Sequence, residues 1–484
     1  MRSIEDMFIG TTFKDFLLRP QHGQVLSRTK ENIDLSMPLS RNIILRGAPI
    51  VSANMRTVTG GRMMKAMSSM GCFGFIHRRY SKEVQAEKVR EVKRSQSYII
   101  ENPLVIHQEA IIGEARELIR KKKVSGLLVC ESPGSMKLVG VLSTRDIFGL
   151  DSELVKNRMS IFTELICGYQ NISMEEAELR MSRRRVEKLP LIDDDANIVG
   201  LITMKDLKMA KQKPYTTKDS KGRLLVGATI GASGDYMERA ELLVDTGVDV
   251  ILMDIAHGHS EVIKLAINNF KAKFPGAELI AGNIATGQGA KFLMDLGVDA
   301  IKAGVGPGKG CRTRLDVRFG VAQLQAVREV YLATEGKVPI IADGGIEDDG
   351  DIISALLIGG ASTVMLGSML AGTDEAPGLV ENGVKMYKGE TSIEASLEEF
   401  NDDENLEALM DDVQAPEGQP RPVKYIEGGV AKVIRRIRGH LKSAVSYAGT
   451  KSLIDAQKKM VDTPWLYVNR RPLTEAAKKE SFDR

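Results

Sequence analysis

Residues 304–314 read GVGPGKGCRTR. Cys311 sits there among Lys309, Arg312 and Arg314, and a thiol surrounded by cations favours the thiolate, the form that attacks carbon. Thr313, two residues on, is placed to orient a water or a proton. Gly304, Gly306, Gly308 and Pro307 make a loop whose backbone N–H and C=O groups can converge on a phosphate or a monovalent cation. A small buried thiol beside a tight turn fits the same residues, so this stretch alone leaves both readings open.

Three other stretches carry groups of the same kind. ADGG (342–345) offers Asp343, a carboxylate able to hold the two hydroxyls of a ribose, with glycines for close approach. MLGS (365–368) offers backbone donors and the Ser368 hydroxyl to a phosphate. MDIAHGHS (253–260) holds Asp254 and the pair His257 and His259. Two histidines at this spacing suit a metal, but no third ligand stands at a sensible distance along the chain, so metal catalysis is not expected.

These residues need a frame that brings them together. From residue 224 onward an apolar run followed by an amphipathic segment keeps recurring: 224–230, 248–256, 277–285, 298–306, 338–346 and 362–370. Nearly continuous apolar strands alternating with helices are the mark of a parallel sheet covered on both faces. Each run ends in small or polar residues, which in a closed (β/α)8 barrel line the catalytic face. An open doubly wound sheet is the alternative, and the number of similar units together with the lack of an early G-x-G-x-x-G turn speaks against it.

Residues 95–212 have another rhythm. KKKVSGLLV (121–129) followed by GVLSTRDI (140–147) is echoed about 60 residues later by RRRVEKLPLI (183–192) and GLITMKDL (200–207). Each copy reads as a helix, two short strands and a capped helix start, Ser/Thr-x-x-Asp. Such paired modules can hold nucleotides or serve as a structural repeat. The reading is therefore barrel over 1–94, repeat over 95–212 and barrel again over 213–484.

Composition narrows the class. With 67 basic and 64 acidic groups, the net charge of +3 gives no footprint for nucleic acid. Four scattered cysteines, none in a C-x-x-C pair, argue for a reducing compartment. No signal peptide and no long apolar span is visible, so a cytoplasmic protein without a membrane partner is expected.

Read together, these stretches resemble the IMP dehydrogenase / GMP reductase family over nearly the whole chain. TFKDFLLRPQHGQVLSR (12–28), VSANMRTVT (51–59) and FGFIHRRYSKEVQAEKV (73–89) are similar to its opening strands, and residues 95–212 to its paired CBS modules. DIAHGHS, AGNIA, GVGPGKGC-R-T, ADGGI and MLGSMLAGTDEAPG then follow in family order. The resemblance implies a TIM barrel with an inserted CBS pair and an active-site loop and flap at 385–430. It makes Cys311 the covalent nucleophile at purine C2, with Thr313 its activating partner. Asp343 would take the ribose, Gly345, Gly367, Ser368 and Tyr387 the phosphate, Met55 the base and Glu417 its N1. Asp254 and His257 would face the nicotinamide cofactor, with Gly304 and Gly306 beneath it. Carbonyls of Gly306, Gly308 and Cys311 would hold K+. A homotetramer, or an octamer when ATP or GTP binds the CBS modules, is also implied.

Departures from the family pattern bear on the reaction. Lys309 stands where a phosphate-binding serine is usual, and Arg56 where the first motif usually has aspartate. The dehydrogenases carry an Arg-Tyr pair in the flap that activates water, whereas residues 392–412, SIEASLEEFNDDENLEALMDD, are acidic and contain neither. A reductase needs instead the threonine and a glutamate, for which Glu390 and Glu394 are the candidates near Tyr387. The reading is NADPH-dependent conversion of GMP to IMP. The alternatives are an NAD-dependent IMP dehydrogenase and a diverged nucleotide-sensing protein without turnover.

Overall fold

The computed structural model describes residues 4–28, 33–95, 98–148, 151–169, 172–211, 215–219, 222–389 and 418–470. The chain divides into two compact units, one comprising 1–95, 215–217 and 224–484, the other 96–214 and 218–223.

The first unit is a closed barrel of eight parallel strands: β1 (Ile50–Ser52), β2 (Phe73–Ile76), β3 (Gly227–Ile230), β4 (Val250–Asp254), β5 (Glu278–Ile284), β6 (Ala300–Ala303), β7 (Ile340–Asp343) and β8 (Thr363–Leu366). β8 returns to pair with β1, Val364 opposite Ile50, which closes the ring. All residues of β1, β2, β3, β6 and β8 are buried. Burial on both faces is why these strands read as unbroken apolar runs rather than alternating ones. The two N-terminal strands, β1 and β2, complete the six runs seen after residue 224.

Helices on the outside are started by side chains that take up free backbone N–H groups. Ser81 accepts from the Val84 amide at the start of α1 (Lys82–Arg94), and Thr286 from Gly289 at α2 (Gly287–Asp295). Asp348 and Asp351 form a reciprocal capping box at α3 (Asp349–Leu357). Behind β4 the Lys93 ammonium meets Asp249 at 2.7 Å, tying α1 to the barrel wall. These caps and ties fix the phase of each helix, and so the direction in which each strand end points.

The second unit contains the repeat. One copy places a helix (Ile112–Lys122) beside strands Gly126–Cys130 and Leu138–Ser143, and the other a helix (Met174–Arg184) beside strands Lys188–Ile192 and Ile198–Thr203. Leu128, Cys130 and Leu138 of the first copy share an apolar cluster with Ile198 and Leu201 of the second. The two copies differ at the Ser/Thr-x-x-Asp step. Thr203 and Asp206 cap a real helix, Met204–Lys211, with the Asp206 amide 3.2 Å from the Thr203 hydroxyl. Ser143 and Asp146 close only a turn, the Ser143 amide donating to the Asp146 carboxylate at 2.7 Å. The expected second helix start is absent there because Thr144, Ile147 and Phe148 are weaker helix formers than Met204, Lys205 and Leu207.

Candidate active site

The ends of β6 and β7 touch. Gly304 has φ +144°, and a Cβ there would stand 2.1 Å from the Asp343 carbonyl oxygen, so only glycine allows the approach. Gln323 seals it, its amide nitrogen donating to the carbonyls of Ala303 at 3.0 Å and Asp343 at 2.9 Å. The loop then folds over the next strand end, with Pro307 lying against Gly344 and Gly345.

Cys311 emerges from this loop half-buried, its amide donating to the Gly308 carbonyl at 2.9 Å. Its Sγ lies 3.2 Å from the Thr313 hydroxyl. Gly418 pairs with Cys311 as an antiparallel bridge, and Gly310 packs against Gly389. A two-stranded hairpin, Val384–Lys388 with Pro420–Lys424, delivers those glycines and Tyr387 to the same place. The Tyr387 hydroxyl reaches the Met55 sulfur at 3.2 Å and lies over Gly367, while Ser368 begins the following short helix. Cys311, Asp343 and Gly367 thus stand on adjoining strand ends of one face.

Electrostatics at the centre are set by a residue the sequence reading missed. Lys302, on β6 and nearly fully buried, places its ammonium 2.6 Å from Asp343 and 3.0 Å from Asp254. Burial alone pushes its pKa down, and the two carboxylates outweigh that, leaving the lysine above its ordinary value and charged. Asn54 donates to Asp254 at 2.6 Å and Asn283 to Asp343 at 3.0 Å. A charged residue inside the apolar run VDAIKAGVG was the available signal. Asn54 and Asn283 gave none beyond their motifs.

The cations around Cys311 are placed differently from the simplest reading. Arg312 pairs with Asp316 at 2.7 Å, and Lys309 is exposed on the rim. Arg314 runs back under the loop, donates to the carbonyls of Val305 and Val321, and packs on Gly306. This arrangement bears on the expected K+. The Gly308 carbonyl already accepts the Cys311 amide, and the Arg314 guanidinium occupies the space beside Gly306. Each carbonyl keeps a second lone pair, and no step below uses a cation.

A nicotinamide dinucleotide fits better. The Asn283 side-chain oxygen is buried without a partner, and the partly exposed Asp254 ends the neighbouring strand β4. His257 is exposed beyond Asp254, its ring 6.4 Å from that of His259. Among the described residues no cluster of acidic, histidine and cysteine side chains suits a metal, and no helix is long and apolar enough to cross a membrane. Glu390, Glu394 and Glu417 lie outside the described residues. A separate cleft of about 770 Å³, between residues 13–20 and α3, takes no part in this constellation.

Comparison with known proteins agrees with the geometry. The model of the IMP dehydrogenase / GMP reductase domain matches residues 10–481. The inosine-5'-monophosphate dehydrogenase of Nitrosopumilus maritimus is 42% identical over 457 residues, covering 93% of this chain and 94% of the relative. That of Aquifex aeolicus is 40% identical over 458 residues, covering 93% and 92%. Among solved structures, a GMP reductase from Trypanosoma brucei in complex with guanosine 5'-monophosphate superposes with a TM-score of 0.81 at 36% identity, covering 100% of this chain and 99% of that one. The same enzyme in complex with guanosine 5'-triphosphate gives 0.72 at 35%, covering 93% and 96%. The chain is a purine-nucleotide oxidoreductase, a (β/α)8 barrel protein that belongs to the IMP dehydrogenase / GMP reductase family.

Proposed function

We propose that the protein is a GMP reductase, converting GMP to IMP and ammonia at the expense of NADPH. One observation carries this reading: residues 392–412 contain neither arginine nor tyrosine. The dehydrogenase reaction ends by hydrolysing a purine held on the cysteine, which requires an activated water. The reductase reaction needs none. The likeness to the Trypanosoma brucei enzyme points the same way. IMP dehydrogenase, with NAD, is the second reading, favoured by the names of the relatives most similar in sequence.

In the proposed reaction GMP lies with its ribose on Asp343 and its phosphate at Gly345, Gly367, Ser368 and Tyr387. Met55 packs on the base, Glu417 accepts from N1–H, and Lys309 adds charge at the phosphate rim. The Cys311 thiolate adds to purine C2, forming a C–S bond. The C2–N bond to the amino group then breaks, and Thr313 passes the proton with which ammonia departs. Glu394 or Glu390 is its proposed partner. Asp254 and His257, with Gly304 and Gly306, would hold NADPH, which would supply the hydride that C2 takes up. The C–S bond breaks, and its electron pair returns to Cys311 as thiolate. The absorbance of reduced nicotinamide tests the direction. Loss of NADPH with GMP, together with IMP formation, supports the reductase. Formation of NADH from IMP and NAD supports the dehydrogenase, and turnover in neither direction overturns both.

A further inference from the structure

Lys302 stands between two carboxylates that come from strands on either side of it. Its own strand, β6, pairs with β5 so that Lys302 lies opposite Gly282. A Cβ on Gly282 would stand 2.7 Å from the Lys302 Cβ, so the glycine clears the path along which the lysine stem runs. The ammonium meets Asp254 of β4 at 3.0 Å and Asp343 of β7 at 2.6 Å. Each carboxylate has one further side-chain amide, from Asn54 and Asn283. The result is a chain of five groups, Asn54–Asp254–Lys302–Asp343–Asn283, carrying two negative charges on one positive. As a stabilising device such a trio gains little, since apolar residues of similar volume would serve a barrel core as well.

We propose that Lys302 is a positioning residue that couples the nucleotide subsite to the dinucleotide subsite by sharing one ammonium between Asp343 and Asp254. The inference rests on the reading that Asp343 takes the ribose of the mononucleotide and Asp254 that of the dinucleotide. Ribose hydroxyls are donors, and they need ionised carboxylates as acceptors. Two carboxylates drawn to one point repel each other, and the ammonium between them offsets that repulsion. Because the ammonium is single, charge drawn to one carboxylate is withdrawn from the other. Neutralising Asp254 therefore lets Lys302 settle on Asp343, where it competes with the ribose hydroxyls of a nucleotide that Asp254 never touches.

The test is a double-mutant cycle read by calorimetric binding of GMP, and separately of IMP, with no dinucleotide present. With Lys302 intact, Asp254→Asn weakens mononucleotide binding several-fold. In a Lys302→Met background the same substitution no longer weakens it, leaving affinity unchanged or raising it as the repulsion between the carboxylates is relieved. An unchanged affinity on Asp254→Asn, or an equal loss in both backgrounds, overturns the proposal. Should Lys302→Met not fold, Lys302→Arg replaces it. A guanidinium offers each carboxylate its own N–H group, so the loss on Asp254→Asn falls below twofold there, and retention of the full effect is the contrary result. If neither mononucleotide binds the unsubstituted chain, the subsite reading fails rather than the coupling.

Discussion

The sulfur of Cys311 lies 3.2 Å from the hydroxyl of Thr313, across the first turn after a glycine loop. At that distance one proton can pass between the two atoms, which is what a nucleophile and its acid–base partner require. Cys311→Ala is expected to abolish turnover while leaving calorimetric nucleotide binding intact. Thr313→Val keeps the shape and removes the hydroxyl, and its kcat should fall about 100-fold or more with little change in nucleotide KM. A Thr313→Val enzyme with an undiminished kcat would remove threonine from the chemistry.

Gly367 shows how closely Tyr387 is fitted over the end of β8. A Cβ there would lie 2.6 Å from the Tyr387 hydroxyl. Gly367→Ala should therefore push the phenol off Met55 and raise the nucleotide KM about 10-fold, the loss of roughly one good polar contact. Pairing it with Tyr387→Phe removes the colliding oxygen and should recover part of that loss. Steady-state kinetics on the single and double variants decide it.

Lys93 and Asp249 test the barrel wall instead of the site. Their ion pair, with nitrogen–oxygen distances of 2.8 and 2.7 Å, is largely shielded from water, and Asp249 also accepts the Val226 amide at 2.6 Å. Lys93→Met removes the ammonium that the largely buried Asp249 carboxylate meets, at a cost of about 3–5 kcal/mol. Lys93→Met with Asp249→Asn should recover much of it, because the asparagine oxygen can still accept from Val226. Urea unfolding is followed by the fluorescence of Trp465, the single tryptophan and a residue of the barrel unit.

What the sequence revealed and what it hid have separate physical causes. Strands buried on both faces leave unbroken apolar runs, so six of the eight barrel strands could be read directly, and their polar ends pointed to Cys311, Asp343, Gly367 and Asp254. Lys302 was hidden because a lysine inside an apolar run has no periodic signature. Its role depends on Asp254 and Asp343, which lie 48 positions before it and 41 after it and meet only when the barrel closes. Arg312 and Arg314 were read as a field around Cys311; Asp316 pairs with Arg312, whereas Arg314, held by the carbonyls of Val305 and Val321, stays within electrostatic reach of Cys311. Spacing alone does not reveal which of several partners a long side chain will choose. Ser143 and Asp146 matched the motif of Thr203 and Asp206 but lacked the helix formers that would extend it.

His77 predicts an acid limit for the barrel. It follows β2, is fully buried, and stacks on Tyr80 at 4.1 Å between ring centres. Burial pushes its pKa down to about 3, with Arg56, Arg79 and Arg239 adding repulsion. The Arg79 amide donates to Nδ1 at 3.1 Å, so the neutral ring carries its proton on Nε2. Folded, His77 stays neutral, whereas unfolded it takes up a proton near its ordinary value of about 6.5. Above that pH the two states bind protons alike and the residue adds no pH dependence. As pH falls from about 6.5 toward 3 the unfolded state binds the extra proton, and stability is lost by roughly 1.4 kcal/mol per pH unit. Near pH 5 that amounts to about 2 kcal/mol. His77→Asn keeps an acceptor for the Arg79 amide and removes the titration. Its barrel stability, read by Trp465 in urea, should therefore fall less steeply than that of the unsubstituted protein over the same range. Parallel slopes would mean that other groups set the acid limit.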